Sequence, residues 1–108
     1  MTGISTHVLD TTTGRPAAGL GVTLEVKRGE QWEMLGSGTT NDDGRIAALT
    51  RPAGSGPGRH RLRFDTGTYL GDGAFFPEVT VTFEVTNEAH LHVPLLLSRF
   101  GYSVYRGS

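Results

Sequence analysis

Glu78-Val-Thr-Val-Thr-Phe-Glu-Val-Thr86 decides the fold class. Val79, Val81, Phe83 and Val85 recur every second residue, so an extended chain sets all four on one face and Thr80, Thr82 and Glu84 on the other. β-Branched and aromatic side chains suit that pleated, half-buried surface. The same alternation recurs upstream in residues 21–27, where Val22, Leu24 and Val26 face one way, and in residues 59–64, where Arg59, Arg61 and Arg63 alternate with less polar neighbours. Residues 32–39 return as a strand after a turn at residues 28–31, residues 4–10 form a first strand, and residues 46–49 a short one. Residues 90–97 and 102–106 make a final pair around Ser98-Arg-Phe-Gly101. Turns fall at Thr11-Thr-Thr-Gly-Arg-Pro16 and Asn41-Asp-Asp-Gly44, where small polar residues and glycine tolerate the backbone angles of a tight turn. The glycine- and proline-rich residues 50–58 read as a loop within one domain, since too little chain lies on either side for two cores. Residues 65–76 have room for one short helical turn around residues 66–70, its length limited by glycines.

Seven to eight short strands with turn signals every eight to twelve residues, and at most one short helix, indicate an all-β sandwich spanning residues 1–108 as a single domain. Sixteen glycines and five prolines in 108 residues agree with that class. Ten basic against eleven acidic side chains give a formal charge of -1, which offers no polybasic field for nucleic acid or an anionic membrane. With no cysteine, thiolate nucleophiles, thiolate metal sites and disulfides are excluded, leaving imidazole, carboxylate, hydroxyl and guanidinium for any chemistry. The absence of a basic then apolar leader and of a membrane-length apolar run leads to the expectation of a soluble, cytoplasmic protein. A sandwich of this size fills its interior with side chains, so a small-molecule site is expected between subunits.

His90 and His92 stand two apart in a strand-like run and so share a face. His7, Arg45 and the closing Tyr105-Arg-Gly-Ser108 complete the candidate set. Each has an ordinary explanation when taken singly: strands accept histidine, turn mouths carry surface charge, and chain ends fray. A His-x-His strand with a third histidine could supply three zinc ligands, but the spacing shows neither a fourth ligand nor a carboxylate behind them, so no metal and no other cofactor is expected. His60, set among arginines, reads as structural, and Trp32 as packing at a sheet edge or interface.

Two further stretches carry a resemblance. His7-Val-Leu-Asp-Thr-Thr-Thr-Gly-Arg-Pro-Ala-Ala-Gly-Leu20 is similar to the opening signature of the transthyretin fold, and His90-Leu-His-Val-Pro-Leu-Leu-Leu-Ser98 with Phe100-Gly-Tyr102 to its closing one. Tyr105-Arg-Gly-Ser108 resembles the terminal mark of one branch, the 5-hydroxyisourate hydrolases. The likeness covers essentially the whole chain. It implies ring opening of 5-hydroxyisourate to 2-oxo-4-hydroxy-4-carboxy-5-ureidoimidazoline in urate breakdown, by a homotetramer built as a dimer of dimers with sites in the channel between dimers. The family pattern falls on His7, Arg45, His92, Tyr105 and Ser108. Leu91, Arg99 and Val104 stand where the family more often has Tyr, Pro and Thr, and the segment before Phe75 is shorter than usual. The hormone-carrier branch shares the fold without these residues, so the alternative is a non-catalytic transthyretin-like protein that binds a small ligand.

Hydrolysis of a cyclic amide needs a base for water, donors for the developing oxyanion and an acid for the leaving nitrogen. Imidazole serves as either near neutrality. What the resemblance implies for the roles is His92 or His7 as base with the other as partner or acid, and Arg45 as a clamp on a carbonyl or anionic edge. Ser108 would position water or a histidine through its hydroxyl or a terminal carboxylate. Tyr105 would line the pocket and bind substrate, and His90 would support the site from its rim.

Overall fold

The computed structural model describes residues 1–51 and 54–108. The chain runs β1 (Gly3–Asp10), β2 (Arg15–Pro16), β3 (Gly21–Arg28), β4 (Gln31–Thr39), β5 (Arg45–Ile46), β6 (Gly58–Phe64), α1 (Thr66–Leu70), β7 (Val79–Val85), β8 (His90–Leu97) and β9 (Tyr102–Val104). Among the described residues, seven of the nine strands are the expected ones; β2 and β5 are two-residue additions at the edge of β1. Residues 46–49, expected as a strand, pair only at Ile46, because Leu49 turns in to the core and its N–H bonds the Ile4 carbonyl at 3.0 Å. Of the expected loop at residues 50–58, Pro52 and Ala53 lie outside the described residues.

The strands form two sheets, β2-β1-β8-β9 with β5 also on β1, and β4-β3-β6-β7. The second is a run of antiparallel neighbours, whereas β1 and β8 pair in parallel, Gly3 opposite His90 through Asp10 opposite Leu97. That pairing joins the two ends of the sequence and sets which side chains share the outer face. Ile4 and Val8 of β1 point into the sandwich with Leu91, Val93, Leu95 and Leu97 of β8, against Val22, Leu24, Leu62, Phe64, Val79 and Val85 of the other sheet. Ser5 and His7 therefore point outward beside His90 and His92.

Small polar contacts pin the ends of β1. Asp10, only 7% exposed, accepts the Thr12 and Thr13 N–H groups at 3.0 and 3.3 Å and the Tyr69 hydroxyl of α1 at 2.8 Å. Burial, and then the Asp10 carboxylate, push the Tyr69 phenol up to about 12, so it remains a donor. His60 is fully buried, held by the Ser55 hydroxyl at 2.7 Å and the Gly58 carbonyl at 2.9 Å, in agreement with a structural role. Trp32 lies on edge strand β4 with the Arg61 guanidinium 4.2 Å above its ring. Among the described residues no helix is long and apolar enough to cross a membrane.

Candidate active site

The outer face of β1 and β8 carries a concavity of about 330 Å³ lined by Ser5, Arg45, Ala47, His90, His92 and Ser108 among others. Three distant parts of the sequence meet there. The turn before β5 delivers Arg45: Asn41 accepts the Asp43 and Arg45 N–H groups through its side-chain oxygen at 2.9 and 3.0 Å. Gly44 takes a φ of 73° and approaches β1 so closely that a Cβ would stand 2.4 Å from the Val8 oxygen. Only glycine satisfies both demands. The turn thereby seats Arg45 opposite His7 in the β1–β5 register.

The chain end is laid across β8. Pro94 and Tyr105 are the next pair beyond Leu95 and Val104, but Pro94 has no N–H to return the bond, and the Tyr105 N–H reaches its carbonyl only at 3.4 Å. The expected strand over residues 102–106 therefore stops at Val104. Pairing resumes once, where the Gly107 N–H bonds the His92 carbonyl at 2.7 Å. A Cβ on Gly107 would stand 2.7 Å from Cδ2 of the His92 ring, so this position admits no larger residue without displacing the imidazole. Ser108 follows directly into the concavity.

The structure thus brings together Arg45, His90, His92 and Ser108, with half-buried His7 on the same outer face of β1. It does not bring Tyr105 to them. Tyr105 lines a separate groove of about 280 Å³ between the sheets, with Val81, Phe83, Leu91, Val93 and Val104. Leu91 faces the core, away from the imidazoles. Sequence reasoning missed Ser5. Its hydroxyl stands 2.8 Å from His90 Nε2 and 2.8 Å from His92 Nδ1, and nothing short of the β1–β8 register would have exposed it.

The electrostatics single out His92. Burial first, and then the positive charges of Arg45, His7 and His90, hold its pKa below the ordinary histidine value, which favours the neutral imidazole that can accept a proton. Among the described residues no group of three His, Asp or Glu side chains is disposed to hold a metal ion.

A two-sheet sandwich of this topology, with imidazoles and a guanidinium gathered on one outer face, defines a transthyretin-like protein. A model of the HIUase/Transthyretin family matches residues 4–107, and the chain belongs to that family. It is 49% identical over 110 residues to 5-hydroxyisourate hydrolase of Salmonella typhimurium, an alignment covering 97% of this chain and 80% of that protein. Among solved structures it resembles Klebsiella pneumoniae 5-hydroxyisourate hydrolase, with a TM-score of 0.87, 38% identity and 100% of both chains covered. Transthyretin from Sparus aurata also matches, with a TM-score of 0.88 and 27% identity over 96% of this chain and 95% of that one.

Proposed function

We propose that this protein hydrolyses 5-hydroxyisourate, opening its six-membered ring to 2-oxo-4-hydroxy-4-carboxy-5-ureidoimidazoline in urate breakdown. The observation that carries the reading is the convergence of His92, Arg45 and Ser108 in one concavity, in a chain 49% identical to a 5-hydroxyisourate hydrolase. His92 takes a proton from water as the water attacks the amide carbon. Arg45 holds the oxygen on which negative charge develops, a task suited to a guanidinium with no carboxylate partner among the described residues. His7, beside Arg45 in register, is the polar partner or acid for the leaving nitrogen. Ser108 orients the water or a histidine, and His90 acts behind His92.

The reading includes a cytoplasmic homotetramer, a dimer of dimers whose central channel encloses these sites. The support for an assembly is that the concavity lies open on the outer face of a sheet, where a second subunit would exclude water from it. No cofactor takes part in the proposed chemistry.

The test follows 5-hydroxyisourate, generated in place from urate by urate oxidase, through its ultraviolet absorbance. Decay well above the spontaneous rate with wild type, lost in His92→Ala, is the expected result. Unchanged decay with wild type ends the hydrolase reading and leaves a ligand-binding protein. Ultracentrifugation checks the assembly, for which four copies of an 11.6 kDa chain are expected.

A further inference from the structure

We propose that Ser5 is a positioning residue that joins His90 and His92 into a single proton relay, with His92 Nδ1–H donating to the Ser5 hydroxyl and the hydroxyl donating to His90 Nε2. The inference rests on the proposed hydrolysis with His92 as base. Its physical ground is the geometry of one hydroxyl between two imidazoles at 2.8 Å each. A serine hydroxyl has one proton, so it can donate to at most one of the two rings, and a ring it does not donate to must give its own N–H to the hydroxyl oxygen. At least one of the two histidines therefore carries a proton toward Ser5. Where one ring presents a bare nitrogen to the hydroxyl, the other must donate.

The fold holds this triad firmly. Ser5 is 7% exposed, on β1 opposite His92 in the parallel register, and His90 lies two residues back on the same face of β8. Gly107 covers the His92 ring from the tail. With Nδ1 engaged by Ser5, Nε2 of His92 is the nitrogen with no hydrogen-bond partner among the described residues, which leaves it to meet water. The charged and titratable groups facing His92 are His7 from β1, Arg45 from β5 and His90 from its own strand, with Ser108 from the tail.

The proton count closes. As the water oxygen bonds to the amide carbon, its proton goes to His92 Nε2. The Nδ1 proton of His92 moves to the Ser5 oxygen while the Ser5 proton moves to His90 Nε2, so the positive charge comes to rest on His90, the more exposed ring and the one farther from Arg45 along the strand. When the carbon–nitrogen bond breaks, the same transfers run backwards and His92 Nε2 protonates the leaving nitrogen. No other acid, base or co-reactant is required for this route.

The test combines kinetics with nitrogen chemical shifts of the histidines in the whole protein. In wild type, His92 is expected with its proton on Nδ1 and His90 with a bare Nε2, and in Ser5→Ala this preference is lost. Ser5→Ala should lower kcat about tenfold to a hundredfold with KM within about twofold, and Ser5→Thr, which keeps the hydroxyl, should recover most of it. His90→Gln, at an exposed position that does not threaten folding, can still accept a hydrogen bond but cannot carry the proton, and should lower kcat similarly. A His92 proton found on Nε2 in neutral wild type overturns the relay whatever the rates. So does wild-type kcat in His90→Gln, or in folded Ser5→Ala. If wild type itself fails to hydrolyse 5-hydroxyisourate, the hydrolase reading falls and the relay with it.

Discussion

The outer faces of the two sheets both carry basic side chains, and they treat them in opposite ways. On the face of β3, β6 and β7, Arg59, Arg61 and Arg63 alternate along one strand, and each meets a carboxylate: Glu84 at 2.6 Å, Glu25 at 2.7 Å and Glu78 at 2.8 Å. On the face of β1 and β8, Arg45 stands among three histidines and forms no ion pair among the described residues. Paired charges of the first kind hold strands together and have little left to offer a ligand. The basic groups of the second kind lower the proton affinity of His92, and Arg45 keeps its attraction for an anionic edge or a developing oxyanion.

The comparison breaks most visibly if activity depends on the wrong face. His92→Ala and Arg45→Ala should each lower kcat/KM by roughly 10²- to 10⁴-fold while leaving circular dichroism and assembly unchanged. Arg61→Ala, a loss of the same kind of charge from the other sheet, should leave kcat/KM within about twofold and reduce stability instead. Steady-state kinetics beside thermal unfolding of all three variants separates the cases. Equal loss of activity in Arg61→Ala would mean that the two faces are not distinct in function.

The paired face was the more legible in the sequence. Period-two runs in residues 59–64 and 79–85 announce strands from local pattern alone, and residues 65–76 leave room for one helical turn whose length their glycines limit. The candidate site was legible only as a set of residue types. Its geometry depends on β1 and β8 lying parallel, a pairing between residues some 87 apart, and no local signal sets that register. Ser5 was missed for this reason, although His90 and His92 were seen to share a face. The end of β9 was overrun because the missing Pro94 N–H matters only once Tyr105 is known to lie opposite it. Tyr105 shows the same limit: the motif says that it belongs with Ser108, while the fold of the single chain sends it to the groove between the sheets.

A smaller effect sharpens the paired side. Glu25 is 11% exposed and accepts a hydrogen bond from Arg61 Nε, with Arg63 at 3.7 Å. The Arg61 bond is the main reason its carboxyl sits below the ordinary carboxylate value of 4.5, against the opposing pull of burial. Glu25→Gln keeps the shape and removes the charge, and should cost about 1–3 kcal/mol at neutral pH by urea unfolding. The folded pKa is depressed, so the unfolded chain takes up this proton first on acidification. The stabilisation is complete above pH 4.5 and drains away as pH falls through the folded value. The gap between wild type and variant should therefore close in acid.

On the unpaired side the corresponding pH effect is a few-fold in rate. His92 is held below the histidine value of 6.5, so the midpoint of the acid limb of kcat/KM should fall below pH 6.5, where an ordinary imidazole is half protonated. Arg45→Gln should carry the acid limb of its residual activity to higher pH, because the second-largest cause of the depression is gone. The stability sign is the same as for Glu25: the unfolded state binds the proton more tightly, so His92 costs stability as pH falls below 6.5. An acid limb that does not move in Arg45→Gln would mean that Arg45 does not set the proton affinity of the base.

The least effect is expected where pairing is most conspicuous to the eye. Arg59 and Glu84 approach to 2.6 Å, closer than Arg61 and Glu25, yet their side chains are 57% and 56% exposed against 24% and 11% for the buried pair. Water screens the exposed pair, and fixing two long side chains in one geometry offsets much of what attraction remains. Glu84→Gln should then change unfolding free energy by no more than about 0.5 kcal/mol, and added salt should erase even that. Measured beside Glu25→Gln at low and high salt, it asks whether burial or distance ranks the ion pairs of this sheet. If Glu84→Gln cost as much as Glu25→Gln, distance would rank them, and burial would not be what makes the paired face stable.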